Sequence, residues 1–130
     1  MIRGSTLAVV ACRAVLITLS AVPIAIEAQA QGASIKAFAP CSGCHATAAG
    51  RPNGIGLNLN GVFNAPAGCR QQFAYSQAMA ANNIRWTDAM LDAFLADPQA
   101  VVPGNRMPYS GMTDAASRKA VIAYLRAAKK

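Results

Sequence analysis

Histidine occurs once in this chain, at His45. A single imidazole excludes any site built on two histidines of the same chain, and it leaves no second one for acid–base catalysis. Acidic residues are also scarce, five Asp and Glu against twelve Lys and Arg, for a formal charge of +7. That excess suits steering toward an anionic partner surface. The arginines are scattered and the lysines gather only at the extreme C-terminus, so no basic stripe for nucleic acid forms. No internal repeat, second domain or Ser- or Pro-rich linker divides the chain beyond residue 30, and strand signals are weak throughout. Many of the apolar residues are alanine, which buries little area. The composition favours a domain templated by a bound group over one with a self-sufficient core.

The first thirty residues read as an address. Arg3 and Arg13 are basic, an apolar run follows from Ala14 to Ile26, and Ala28-Gln29-Ala30 has the small-x-small form of a cleavage site. The pattern predicts a secretory signal peptide over residues 1–30 and one mature domain over residues 31–130, exported to the periplasm. The alternative is an uncleaved signal that tethers the protein to a membrane. The stretch from Leu7 to Ile26 is just long enough for that, but Arg13 interrupts it. Cys12 follows Val10-Ala11, yet the apolar run continues past it, which argues against a lipoprotein site. Cleavage would leave ten Lys and Arg against four Asp and Glu, a charge of +6.

What the chain does have is Cys41-Ser42-Gly43-Cys44-His45, the C-x-x-C-H run that attaches a c-type haem. Two thiols three positions apart can each add across one haem vinyl group, and the histidine after them is held as an axial ligand. One covalent haem c on Cys41 and Cys44, with His45 on the iron, is the expectation. Cys69 is then left odd, and it is expected as a small buried hydrophobe. A zinc site of Cys41, Cys44, His45 and Cys69 competes, but adjacent Cys44 and His45 are awkward joint ligands.

Around the motif the sequence predicts an all-α domain of few helices, with long loops wrapped around one covalently bound haem. Ser34 to Ala39 forms a short helix that Pro40 stops. Residues 46–68, rich in Gly, Asn and Pro, form a loop whose bulky residues Ile55, Leu57, Leu59, Val62 and Phe63 pack against the flat cofactor. Thr87 caps a helix running to Ala96, with Met90, Leu91, Phe94 and Leu95 on its apolar face and Asp97-Pro98 at its end. Thr113 caps the last helix, whose Val121, Ile122 and Leu125 repeat at helical spacing.

With bis-histidine ligation excluded, the sixth position falls to methionine, another side chain, water or nothing. Met90 lies on an apolar helix face and reads as core. Met107 lies in Pro103-Gly104-Asn105-Arg106-Met107-Pro108-Tyr109, a stiff turn able to aim one side chain inward, and Met112 is the fallback.

Taken together, these residues resemble a class I cytochrome c, the small electron carrier of respiratory and photosynthetic chains. The resemblance runs through Gly56–Gly61, Tyr75-Ser76, Trp86, Leu95, Pro98, the Pro103–Met107 loop, Gly111 and Tyr124-Leu125. It implies that Met107 is the axial sulfur, that Tyr75, Trp86 and Asn105 hydrogen-bond the haem propionates, and that Arg118 caps the outer face of the last helix. The implied function is a monomeric shuttle of single electrons between redox proteins (a cytochrome reductase, oxidase or dehydrogenase), met at the haem edge near Arg106. It is not an enzyme. A haem with a weak or open sixth site that binds small ligands or slowly turns over peroxide is the alternative, as is a subunit dedicated to one oxidoreductase complex.

The chain also departs from the family's pattern. Leu57 replaces a proline, Ala65 an arginine near the inner propionate, Phe94 a tyrosine that donates to the methionine sulfur, and Met79 an asparagine. The aromatic expected four residues before the first haem cysteine is Ala37, with Phe38 one place later, which unsettles the packing of the first helix against Tyr124. Loss of the tyrosine and arginine implies a reduction potential below that of members that carry them.

Overall fold

A computed structural model describes residues 22–128 of the chain. Five helices follow one another: α1 Val22–Phe38, α2 Gln77–Ala80, α3 Asp88–Ala96, α4 Pro98–Val101 and α5 Ala115–Ala127. Among the described residues there is no strand, and one isolated antiparallel bridge joins Pro66 and Arg85. The all-α expectation holds, and the long segment between α1 and α2 is the expected loop.

α1 is longer than the expected Ser34–Ala39 helix. Pro40 does not stop it outright but sits in a 3-10 turn over Ala39–Cys41, early in a helical turn where its missing N–H costs nothing. The anticipated cleavage site, Ala28–Ala30, lies within α1, and residues 1–21 of the anticipated signal lie outside the described residues. From Ala28 to Ala33 α1 is exposed, and at its C-terminal end Phe38 is buried and meets α5.

α3 begins as expected, with the Thr87 hydroxyl accepting from the Met90 N–H at 3.3 Å. Its Leu91, Phe94 and Leu95 are buried, and Met90 packs at the margin of the core. Asp97 ends α3 and also caps α4, accepting from the N–H groups of Gln99 and Ala100 at 3.1 and 3.0 Å. The cap of α5 is Asp114 rather than Thr113. The Asp114 backbone is extended (φ −74°, ψ 113°), and its carboxylate accepts from the Ser117 N–H at 2.7 Å. α2, capped by Ser76, and α4 were not anticipated, since four residues are too few to show a helical period.

The core joins Phe38, Val62 and Trp86 to Leu91, Phe94 and Leu95 of α3, to Val102, and to Val121, Ile122 and Leu125 of α5. Phe94 packs edge-on to Trp86 at 4.9 Å between ring centroids. Against the protein's own atoms Ile55 is 82% exposed, at the tip of the Gly54–Gly56 turn, which folds inward at Gly56. One expectation about burial is overturned. Cys69 is exposed, because Ala67 takes the buried place in that turn, its N–H bonded to the Ile84 carbonyl at 2.9 Å.

The candidate haem site

One helical turn assembles the attachment residues. The N–H groups of Cys44 and His45 both donate to the Cys41 carbonyl, at 3.1 and 2.9 Å, which sets both thiols and the imidazole on one short segment. Cys41 and Cys44 are half-buried free thiols. Burial, with the neighbouring Cys44 adding to it, pushes the Cys41 thiol up. Cys69 lies elsewhere, and among the described residues no three His, Cys, Asp or Glu side chains gather as metal ligands, so the zinc arrangement is not assembled.

The imidazole is held on two sides. Its Nδ1 lies 2.7 Å from the Leu57 carbonyl oxygen, and a carbonyl can only accept. Nδ1 therefore carries the proton, and Nε2 keeps the lone pair that a metal needs. Gly56 presses on the ring face, where a Cβ would come within 2.5 Å of the imidazole Cε1. The carbonyl contact thus survives the change from proline to Leu57.

The loop after the motif is braced by asparagines that sequence reasoning passed over. Asn58 donates to the carbonyls of Ala48 and Arg51 at 2.9 and 2.7 Å, and Asn60 donates to those of Thr47 and Ala128 at 3.0 and 2.5 Å. The Asn-rich composition of residues 53–64 was the available signal, since short amides pair readily with nearby backbone.

A second loop carries Met107, half-buried against the core. Its N–H donates to the Asn105 Oδ1 at 3.0 Å. The Asn105 amide then donates to the carbonyls of Pro98 and Val102, both at 2.9 Å. The residue is only 7% exposed, and its amide Nδ2 meets both carbonyls within the loop. Gln99 spans the same loop, donating to the Asn105 carbonyl at 3.0 Å and accepting from the Gly104 N–H at 3.1 Å. At the far end the Met112 N–H donates to the Leu95 carbonyl at 2.7 Å. Gly111, at φ +105°, lies so close to α3 that a Cβ there would sit 2.1 Å from the Ala96 oxygen. Burial, followed by the Cys41 thiol, raises the Tyr109 phenol.

Of the other anticipated propionate partners, Trp86 is buried and Tyr75 is half-buried, its ring edge-on to Phe73 at 4.9 Å. Burial raises the Tyr75 phenol, while a hydrogen bond and the positive charge of Arg70 pull it down. Arg70 itself donates to the Asn60 carbonyl at 2.6 Å, and Arg106 donates to the Ala74 carbonyl. Arg118 ties α5 to α3 and to the segment before α5, paired with Asp92 at 2.8 Å and donating to the carbonyls of Met112 and Thr113 at 2.8 and 2.9 Å. Half-buried Leu59, Phe63, Met79, Ile84 and Met107 line the core's margin, an apolar border that suits a flat aromatic group. The residues therefore fit a covalent haem: paired reduced thiols, an imidazole with Nε2 available, and a mobile-chain thioether on a braced loop.

Comparison with known proteins agrees. No protein-family model matches the chain. Cytochrome c2 iso-2 of Magnetospirillum fulvum is 41% identical over 90 residues, 69% of this chain and 93% of that protein. Cytochrome c2 of Rhodoblastus acidophilus is 39% identical over 90 residues, 69% of this chain and 84% of that protein. Among solved structures, cytochrome cH from Methylobacterium extorquens superposes with a TM-score of 0.70 at 39% identity, covering 75% of this chain and 97% of that one. Motif, helical fold and relatives converge: the chain belongs to the class I c-type cytochromes, electron carriers with one covalently bound haem c.

Proposed function

We propose that this protein is an exported shuttle for single electrons in which Cys41 and Cys44 form the two thioethers and His45 and Met107 are the axial ligands. The observation that carries the assignment is the 2.7 Å contact of His45 Nδ1 with the Leu57 carbonyl, which orients the ring and reserves Nε2 for iron. The haem supplies a one-electron ferric–ferrous couple when bound.

The chain's own residues set the terms of that couple. Thioether ligation by Met107 beside His45 favours the ferrous state and raises the potential. Asn105 holds the Met107 backbone in place, and with Tyr75 and Trp86 it remains a propionate partner. Redox proteins are met through the haem edge near Arg106, in brief contacts that weaken with salt because the basic excess is exposed. Residues 1–30 are the export signal, and the mature protein begins at Gln31 in the periplasm. Among the described residues no helix is long and apolar enough to cross a membrane.

The test is the absorption spectrum of protein matured in cells competent for haem c attachment. A c-type α-band together with the ferric sulfur-to-iron charge-transfer band supports His45/Met107 ligation. A high-spin ferric spectrum that shifts on adding azide would overturn the Met107 assignment.

A further inference from the structure

The peptide group between Leu57 and Asn58 is held at both ends. Its carbonyl accepts from His45 Nδ1–H at 2.7 Å, and its N–H donates to the Asn53 side-chain Oδ1 at 2.8 Å. Asn53 is fixed in turn, because its Nδ2 donates to the Gln72 carbonyl at 3.1 Å. Leu57 has no ring to lock its φ, so the tilt of this peptide plane is set by its hydrogen bonds.

We propose that Asn53 is a positioning residue for His45 and acts on it through the Leu57–Asn58 peptide. An acceptor on the peptide N–H draws electron density toward the carbonyl oxygen, since hydrogen bonds in a chain polarise one another. The Leu57 oxygen becomes a stronger acceptor for Nδ1–H, and the imidazole gains anionic character at Nε2. A more basic Nε2 favours the ferric state, so Asn53 holds the midpoint potential down. The same bond fixes the plane in which the Leu57 oxygen points, and Gly56 on the ring face leaves the imidazole little room to follow a different plane. The amide of Asn53 does not touch the imidazole, and the effect passes through a backbone group that no side-chain inventory of the site would include.

The inference rests on His45 being the axial histidine, and its test separates the two ideas. The haem-loaded wild type, Asn53→Ala and Asn53→Asp are compared by voltammetry, by the proton resonance of His45 Nδ1–H in the ferrous state, and by hydrogen exchange at the Asn58 amide. Asn53→Ala is expected to raise the ferrous-to-ferric ratio about threefold at fixed ambient potential, roughly 30 mV for a one-electron couple. The Asn58 amide should then exchange faster, and the Nδ1–H resonance should move. Asn53→Asp keeps the acceptor, loses the donation to Gln72 and adds a negative charge that itself favours ferric haem, so its Asn58 amide stays protected and its midpoint does not rise. A midpoint unmoved in Asn53→Ala would overturn the proposal and reduce Asn53 to a loop brace. An equal upward shift in Asn53→Asp would overturn it too, and this variant decides the matter if Asn53→Ala does not fold. Failure of the underlying ligand assignment would look different: the wild type itself would lack the low-spin spectrum.

Discussion

Phe38 stacks on Tyr124, with ring centroids 4.6 Å apart and planes inclined by 24°. The pair joins the end of α1 to α5, although Phe38 stands one place out of register with the family's aromatic. The 3-10 turn over Ala39–Cys41 restores the alignment. Three residues of 3-10 helix complete a turn, about the rotation that four give in an α-helix. Phe38 thereby reaches the side of the helix that a residue four before Cys41 would occupy. With the ring only 4% exposed, Phe38→Ala is expected to cost about 3–5 kcal/mol. Tyr124→Phe loses only the hydrogen bond with Thr47 and should cost about 0.5–1.5 kcal/mol. Denaturant unfolding of the haem-loaded variants measures both, and equal losses would mean that the stack is not the dominant contact.

Gly56 decides whether the imidazole can keep its place. A Cβ there would lie 2.5, 2.7 and 2.9 Å from Cε1, Nδ1 and Nε2 of His45, well inside contact distance. In Gly56→Ala either the ring or the loop must move, and both movements weaken the bond to Leu57. The expected result is a lower yield of haem-loaded protein and a rise in the high-spin ferric fraction. Absorption spectroscopy reads both, and an unchanged spectrum would show that the loop can retreat without disturbing the ligand.

Much of this site was legible because its chemistry is written in contiguous residues. Cys41, Cys44 and His45 are adjacent in sequence, and one helical turn brings them together with no help from distant contacts. The longer helices could be read from Leu91, Phe94 and Leu95 and from Val121, Ile122 and Leu125, whose spacing repeats. The braces left no such mark. Asn60 reaches the Ala128 carbonyl across 68 positions of sequence, and a single side-chain-to-backbone bond has no period to detect. Asn105 reads in sequence as a pocket-facing donor, and nothing there shows that its amide also meets the Pro98 and Val102 carbonyls close by. Whether a polar side chain faces a ligand or its own loop depends on backbone geometry, which residue type does not specify.

The two methionines of the second loop should behave differently. Met107 hangs from the Asn105 amide, whereas Met112 is tied by its N–H to Leu95 beside the close packing of Gly111 on Ala96. Met107→Leu is expected to abolish the ferric sulfur-to-iron band and open the sixth position to azide. Met112→Leu should leave that band intact and change stability by less than about 1.5 kcal/mol, as volume-conserving swaps do. Loss of the band in the Met112 variant alone would reverse the ligand assignment.

Arg118 is expected to matter more than the partner it is paired with. Its side chain is 13% exposed against 42% for Asp92, and it also serves the Met112 and Thr113 carbonyls that end the Met107 loop. Arg118→Ala removes all of these charge-assisted bonds and should cost about 2–3 kcal/mol. Asp92→Ala leaves the two carbonyl contacts in place and should cost less than about 1 kcal/mol, as solvent-exposed pairs do. Paired unfolding curves for the two variants test the ordering.

Asp114 gives the fold a pH-dependent helix cap. Its carboxyl is held below the ordinary value of 3.8, first by a side-chain hydrogen bond with Ser117 and then by the Ser117 backbone N–H. A carboxyl that is more acidic in the native state binds fewer protons there than in the unfolded chain. Its contribution is therefore complete above the unfolded value and is lost as pH falls through the lowered native one. At pH 7 Asp114→Ala should melt below the wild type, and the gap should narrow as the medium is acidified past the carboxylate range, because the neutral acid keeps an accepting oxygen but loses its charge. Asp114→Asn retains an oxygen that can accept from the Ser117 N–H but cannot titrate, so its cap contribution should stay constant over the same acid range. Thermal melts of the three proteins from neutral to acid pH separate the cap's geometry from its charge. A gap between wild type and Asp114→Ala that persists unchanged in acid would mean that the hydrogen bond, rather than the ionised carboxylate, is what stabilises the start of α5.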